Sequence, residues 1–368
     1  MLDLASREPT KSPSTPRRPH ARELPALHQW LDRGLRRGEE GRLAAEYPLT
    51  MGVAGSRRHQ VSYRGQQPVA HAMSHVATLR ARGRLVRLGM IGNVFTDPAF
   101  RNRGLAARCV EAAVEELRGL RASLAVLWGE QTGLYQRAGF LPTGLEHFWN
   151  LTTRRDPGDA GELRVRPLRS TDLTALETLY AAKPVRIERR RGAFRAMCSA
   201  PETHVAVAQR GSQVAGYAVA GRGDDFAGVV HEWAGSPEAV AQCVDWLREH
   251  AGAHTVMSSP VAEGFESLLA ASGATSQKGI FALVLILDVE ELWRAIAPRR
   301  SPLRFARQRS GVALRGSAGG PVNLSDAQAL ELFFGSGPSA LPELARSERR
   351  ELSRVLPWPL YIWGLDSI

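Results

Sequence analysis

Apolar and polar positions divide the chain into stretches with two different periods. Leu24, Leu27, Trp30, Leu31 and Leu35 recur at helical spacing and mark one buried face. From residue 59 to 96 apolar and polar residues alternate instead, with breaks at "RGQQ" and "RARGR". That is the pattern of consecutive antiparallel strands joined by turns. A helix over 106–118, the strand "LAVLW", a short helix in "GLYQRAGF" and a strand in "EHFWNLT" complete the block. This order predicts an α+β fold, an α/β sandwich on a central mixed sheet.

Residues 152–163, "TTRRDPGDAGEL", are polar and cluster Gly, Pro and Asp, the composition of a linker. Beyond them the same order returns. A strand and a helix precede three strands broken at "RGSQ" and "GRGDD"; then come a helix over 239–250, a strand over 254–257, a helix over 263–271 and an apolar strand over 281–287. The repeat predicts an internal duplication: a first domain over 21–152 and a second copy over 162–289, each with its own central mixed sheet. Residues 290–368 form a smaller third block with helical patterns at "EELWRAIA", "SDAQALELFF" and "SERRELSRVL". Residues 1–20, rich in Pro, Ser, Thr and Arg, read as a disordered tail.

Composition narrows the class. Apolar residues make up 43% and charged residues 23%, the balance of a globular protein rather than a disordered one. The longest apolar run, "IFALVLIL", is too short to cross a bilayer, so no membrane partner is expected. The N-terminus has no apolar core of the signal-peptide kind, and Cys109, Cys198 and Cys243 form no C-x-x-C pair. A cytoplasmic protein with neither disulfides nor a zinc site is expected. The net charge of +11 points to an anionic partner, although Lys11, Lys183 and Lys278 are the only lysines and an arginine excess also follows from base composition of the coding sequence. Two runs concentrate the charge, residues 183–195 and 300–315; such runs are more often solvated surface than binding sites.

The chemistry concentrates at residues 94–106, "VFTDPAFRNRGLA". A helix N-terminus offers unpaired N–H groups and partial positive charge, so Arg101 and Arg103 there cost stability unless an anion arrives. Gly104 permits an unusual turn and close backbone approach, Leu105 and Ala106 open the helix, and Asn102 sits inside the basic turn. Pro98 ends the preceding strand and frees backbone groups near Val94, Phe95 and Thr96. A pyrophosphate joined to an amide-bearing arm fits that arrangement.

"RNRGLA" resembles the pyrophosphate-binding signature of the GCN5-related N-acetyltransferase (GNAT) superfamily, and "LYQRAGF", with Tyr135, Gly139 and Phe140, resembles a second signature of it. The duplicated second block and the terminal third block make the arrangement similar to that of Eis-type (enhanced intracellular survival) acetyltransferases. The resemblance implies an active GNAT domain, a degenerate copy that lacks the R-x-x-G-x-A sequence, and a sterol-carrier-like region, here shortened. It implies acetyl-CoA as co-substrate, held by Val94, Phe95, Thr96, Arg101, Asn102, Arg103, Gly104, Leu105 and Ala106, with no metal. Tyr135 matches the tyrosine that protonates the departing thiolate. No Glu stands in "RLGMIGNVFT", so the base is water or the C-terminal carboxylate of Ile368, with Asp366 competing.

The acceptor implied is a primary amine: an aminoglycoside, a polyamine or a protein lysine. Trp128, followed by Glu130 after the strand "LAVLW", is a candidate for its pocket wall, although a large aromatic at a strand end is more often core. Asp224, Asp225, His231 and Glu232 have no metal-ligand spacing and read as domain-interface or pocket-edge residues, more often structural than functional. An acyl-CoA sensor or a nucleic-acid binder on the same scaffold is the alternative. Nucleic acid fits less well, because Phe305 is the lone aromatic in the 300–315 run. Homo-oligomerisation is left open.

Overall fold

In the computed structural model, which describes residues 12–51, 58–151, 163–259, 264–316, 320–341 and 344–368, the N-terminal helical face becomes α1 (Leu24–Leu35), followed by α2 (Arg42–Glu46). Leu24, Leu27, Trp30 and Leu31 are buried against Val61, Tyr63 and Met73. The alternating stretch folds as the antiparallel meander β1 (His59–Arg64), β2 (Gln67–Ala81) and β3 (Arg84–Thr96). α3 (Leu105–Gly119) lays Leu105, Cys109, Val110, Ala113, Val114 and Leu117 in the core, and β4 (Leu124–Leu127) joins β3 in parallel. α4 (Thr132–Arg137) and β5 (Leu141–Asn150) end the first half.

The second half contains β6 (Leu163–Pro167), α5 (Leu173–Ala181), β7 (Val185–Ile187), α6 (Ala193–Cys198), β8 (His204–Arg210), β9 (Gln213–Ala220) and β10 (Val229–Gly235). α7 (Pro237–Ala251), β11 (Thr255–Ser258), α8 (Phe265–Ala271) and β12 (Thr275–Ile286) repeat the order of α3 to β5.

The expected pair of separate central sheets is not what forms. The described strands build one twelve-stranded mixed sheet in the order β1-β2-β3-β4-β12-β5-β11-β10-β9-β8-β6, with β7 added to β2. β5 and β12 are exchanged between the halves. β12 pairs with β4 (Leu283 opposite Leu127), β5 pairs with β11 (Phe148 opposite Met257), and the exchanged strands pair with each other. A strand covered on both faces needs a continuous apolar run. The buried end of β12, Phe281 to Ile286, supplies that run in the middle of the sheet.

The third block holds α9 (Val289–Ile296), β13 (Arg304–Gln308), β14 (Gly311–Arg315), β15 (Val322–Leu324), α10 (Asp326–Phe334) and α11 (Arg346–Leu352). β13, β14 and β15 make a three-stranded antiparallel sheet that the sequence pattern did not announce. Its hairpin is the basic run. Phe305 is buried against Trp293 and Phe333, with ring centroids 5.0 Å away in both cases, so no base can stack on it. Arg307 is tied to Asp326 and to the carbonyl of Ile286.

Part of the expected disordered tail is ordered. Ser14 N–H donates to Tyr63 O (2.7 Å), Arg17 and Val61 exchange backbone bonds, and the Arg17 guanidinium lies 4.3 Å from the Tyr63 ring centroid. The tail covers the free edge of β1, which would otherwise offer unpaired backbone groups. Residues 1–11 of that tail and 152–162 of the linker lie outside the described residues. No helix among the described residues is long and apolar enough to cross a membrane.

Candidate active site

β3 and β4 pair only from Leu88 to Ile91 on β3. β3 then continues to Thr96, still bonded to β2 (Phe95 opposite His71, Thr96 opposite Ala70), while β4 stops at Leu127. One edge of β3 is thereby left open onto a cleft of about 1590 Å³. A register slip and a positive φ of 50° at Asn93 bend the strand there. Buried histidines hold the bend. A carbonyl can only accept, so His71 Nδ1 donates to Asn93 O (2.7 Å), and His71 Nε2 receives the proton of His59 Nδ1 (2.9 Å). Desolvation keeps both rings neutral, pushing His59 down to about 2 and His71 to about 4. Phe95 packs on Trp30 (4.8 Å) and over Gly34, pinning the strand end to α1.

The turn into α3 has Asn102 at φ 61° and Gly104 at φ 70° as N-cap, and no side chain caps the helix. The first intrahelical bond is Arg108 N–H to Gly104 O (3.2 Å), so the N–H groups of Leu105, Ala106 and Ala107 point out of the helix end. Arg101, Asn102, Gly104, Leu105 and Ala106 all line the cleft with Val94, Phe95 and Thr96. Arg103 is not among the lining residues; its guanidinium lies 5.2 Å from the Phe100 ring centroid and bonds Ala99 O. Asn93 Nδ2 and Thr96 Oγ1 are buried without a hydrogen-bond partner among the described residues.

Tyr135 lines the cleft near the same helix turn. Its ring lies on Gly129, where a Cβ would come within 3.0 Å of the phenolic oxygen, and burial raises its pKa. Ile368 enters the cleft from the far end of the chain. Its backbone O and C stand against Gly92 of β3, where a Cβ would be only 2.5 Å from the oxygen. Three side chains hold the segment before it. Arg222 donates to the carbonyls of Leu365 (3.2 Å) and Ser367 (3.4 Å) and to Ser367 Oγ (2.7 Å). Arg189 holds Asp366 through two 2.8 Å bonds and Glu232 on its other side. Tyr180 donates to Asp366 (2.6 Å).

Asp366 is therefore occupied in a buried ion pair and is not a competing base. Arg189, read as part of a solvated run, is buried with it. His231 and Glu232 are structural as expected: His231 Nε2 bonds Gly221 O, and Glu232 accepts from Arg189 and Tyr217. Asp225 is bonded to Arg36 and Tyr47.

Glu146 on β5 was not singled out in the sequence. It is 4% exposed, lines the cleft, bonds Tyr361, and desolvation raises its pKa to about 7. Trp128 and Glu130 line the cleft. No group of three or more His, Cys, Asp or Glu among the described residues could hold a metal ion.

The fold is that of solved structures described as GCN5-related N-acetyltransferases. The family model of the acetyltransferase (GNAT) domain matches residues 24–143. The whole chain superposes on a GCN5-related N-acetyltransferase from Anabaena variabilis ATCC 29413 at 14% identity (TM-score 0.68, 96% of this chain, 99% of that one). One from Kribbella flavida is 18% identical (TM-score 0.65, 98% and 99%), and Eis1 from Mycobacterium abscessus is 14% identical (TM-score 0.63, 96% and 100%). No curated protein matches the sequence.

Proposed function

We propose that the protein transfers the acetyl group of acetyl-CoA to a primary amine in this cleft. The observation that carries the reading is the meeting of the uncapped α3 N-terminus, the open edge of β3 and Tyr135 around one cavity. Acetyl-CoA supplies the thioester carbon. The N–H groups of Leu105 and Ala106, with Arg101, hold its pyrophosphate on the turn shaped by Asn102 and Gly104. Val94, Phe95 and Thr96 pair their open edge with its amide arm. The carboxyl group of Ile368 takes the proton of the incoming ammonium, the nitrogen bonds the acetyl carbon as the carbon–sulfur bond breaks, and Tyr135 gives its proton to the sulfur; the second proton lost by the acylated nitrogen then restores the phenol through water. A phenol whose pKa is raised by burial stays protonated and suits an acid. The role of Ile368 requires a free carboxyl group on that residue in the working chain.

We extend the reading to an Eis-type arrangement: an active domain over 21–152, a degenerate copy over 162–289 and a shortened sterol-carrier-like region over 290–368. The repeated element order and the three-stranded sheet of the third block support it. The test is thiol release from acetyl-CoA with a panel of amines, alongside calorimetry. Amine-dependent release and one acetyl-CoA site per chain are expected; no binding, or two equal sites, would sink the reading.

A further inference from the structure

The cleft runs on past the donor end, and its composition changes there. Trp128, Phe148, Phe226, Met257, Ile280 and Phe281 line this end. Their positions are fixed by ordered contacts. Trp128 donates its indole N–H to Phe281 O (2.9 Å) and meets the Phe281 ring edge-on at 5.7 Å; Phe281 packs on Tyr361 at 5.3 Å, and Tyr361 bonds Glu146. Ile280 is 59% exposed, and its partner across the strand pair, Leu145, is 49% exposed, so the entrance presents apolar surface to solvent.

Charge is scarce at this end. Asp225 is paired with Arg36 and accepts from the Tyr47 hydroxyl, and Arg36 is paired with Glu46 and Asp225. Glu111 and Glu130 also line the cleft, but both are exposed and keep their water. That leaves Glu146 as the buried side-chain carboxyl of the lining that has no cationic partner among the described residues, in addition to the main-chain carboxyl of Ile368. A polycation would bring second and third ammonium groups against aromatic and aliphatic walls with nothing to replace their water. A single ammonium is matched by Glu146, and an aromatic ring or alkyl chain attached to it is matched by the walls.

We infer that the acceptor is a primary monoamine carried on an aromatic or aliphatic body, and that Glu146 selects it by meeting its ammonium. The inference rests on the acetyltransferase reading for the chemistry that follows binding. Glu146 acts on recognition and the carboxyl group of Ile368 on proton removal, so loss of Glu146 moves KM and leaves kcat in place.

The test compares 2-phenylethylamine with spermidine, by thiol release from acetyl-CoA and by calorimetry of each amine into protein containing CoA. We expect kcat/KM for 2-phenylethylamine to exceed that for spermidine by about tenfold or more. Glu146→Gln raises the KM for 2-phenylethylamine by about tenfold with kcat within about twofold. Ile280→Glu, at an exposed position that tolerates charge, adds a second carboxyl and narrows the preference against spermidine by about tenfold. Thermal melts check that both variants fold. A wild-type preference for spermidine overturns the inference, as does an unchanged KM in Glu146→Gln or a collapse of kcat alone. Selective binding of 2-phenylethylamine without thiol release upholds the amine site and sinks acetyl transfer instead.

Discussion

α3 and α7 hold the same place in the two halves and begin in opposite ways. α7 has Ser236 as N-cap, its side chain accepting from Ala239 N–H, with Pro237 and Glu238 in the first turn. Every one of those residues suits a helix start in water. α3 has a left-handed glycine, no side-chain cap, no acid in its first turn, and arginines just before it. The pair α4 and α8 tells the same story. Both end at a positive-φ glycine, Gly139 (89°) and Gly273 (81°), and Phe140 N–H to Tyr135 O and Ala274 N–H to Leu269 O are both 3.1 Å. The turn is kept, and the phenol has a leucine as its counterpart. At the strand end matching the open edge of β3, β10 places Trp233 against Trp363 (5.3 Å), with the Lys183 ammonium over both rings. The same scaffold thus stands with or without a ligand site, and the site consists of those residues that a helix or strand on its own would not choose.

Gly104→Glu should break the contrast most severely. Its φ of 70° disfavours any side chain with a Cβ, and the new carboxylate would face the phosphates, so acetyl-CoA affinity should fall below detection by calorimetry. Arg189→Met should rank next, because it leaves Asp366 and Glu232 buried without their cation. Breaking one side of a buried pair costs about 3–5 kcal/mol, read as a large drop in Tm with release of the C-terminal segment to proteolysis. Tyr135→Phe should lower kcat by about a hundredfold with acetyl-CoA affinity unchanged, whereas Leu269→Ala should change stability and not turnover.

Glu146→Gln sharpens the picture through pH. The folded-state pKa of Glu146 lies above its ordinary value, so the native state binds the extra proton between about 4.5 and 7, and stability is lost as pH rises through that window. The variant should therefore melt higher than the parent at pH 8, by an amount on the order of 1–3 kcal/mol, and no higher at pH 4. Ser236→Ala should have the smallest effect, about 1 kcal/mol in denaturant unfolding with acetyl-CoA binding untouched.

The donor end was legible because its signal is local. Arg101, Gly104 and Tyr135 sit in short stretches whose residue types contradict ordinary helix starts and ends, and both the turn and the helix formed where the pattern placed them. The acceptor end was not legible, because each of its residues depends on distant ones. Whether Glu146 faces a cleft depends on β5 lying between β12 and β11, both contributed by the other half. Arg189 looked like one more exposed cation in a basic run, since its partner Asp366 is 177 positions away. The stretch "WPLYIWGL" is apolar enough to require burial, and it is buried, but nothing in it names the strand it lies against.

The exchange of β5 and β12 also sets a schedule for synthesis. Chains emerge from the ribosome N-terminus first, and domains generally fold as they appear. Here β4 cannot acquire its second neighbour until Thr275–Ile286 has been made, long after Tyr135 and the α3 turn have left the exit tunnel. A nascent or truncated chain that stops short of that segment carries a four-residue apolar strand with a bare edge, open to pairing with another copy. Stalling, premature termination or proteolysis in the second half should therefore yield insoluble material rather than a smaller folded protein.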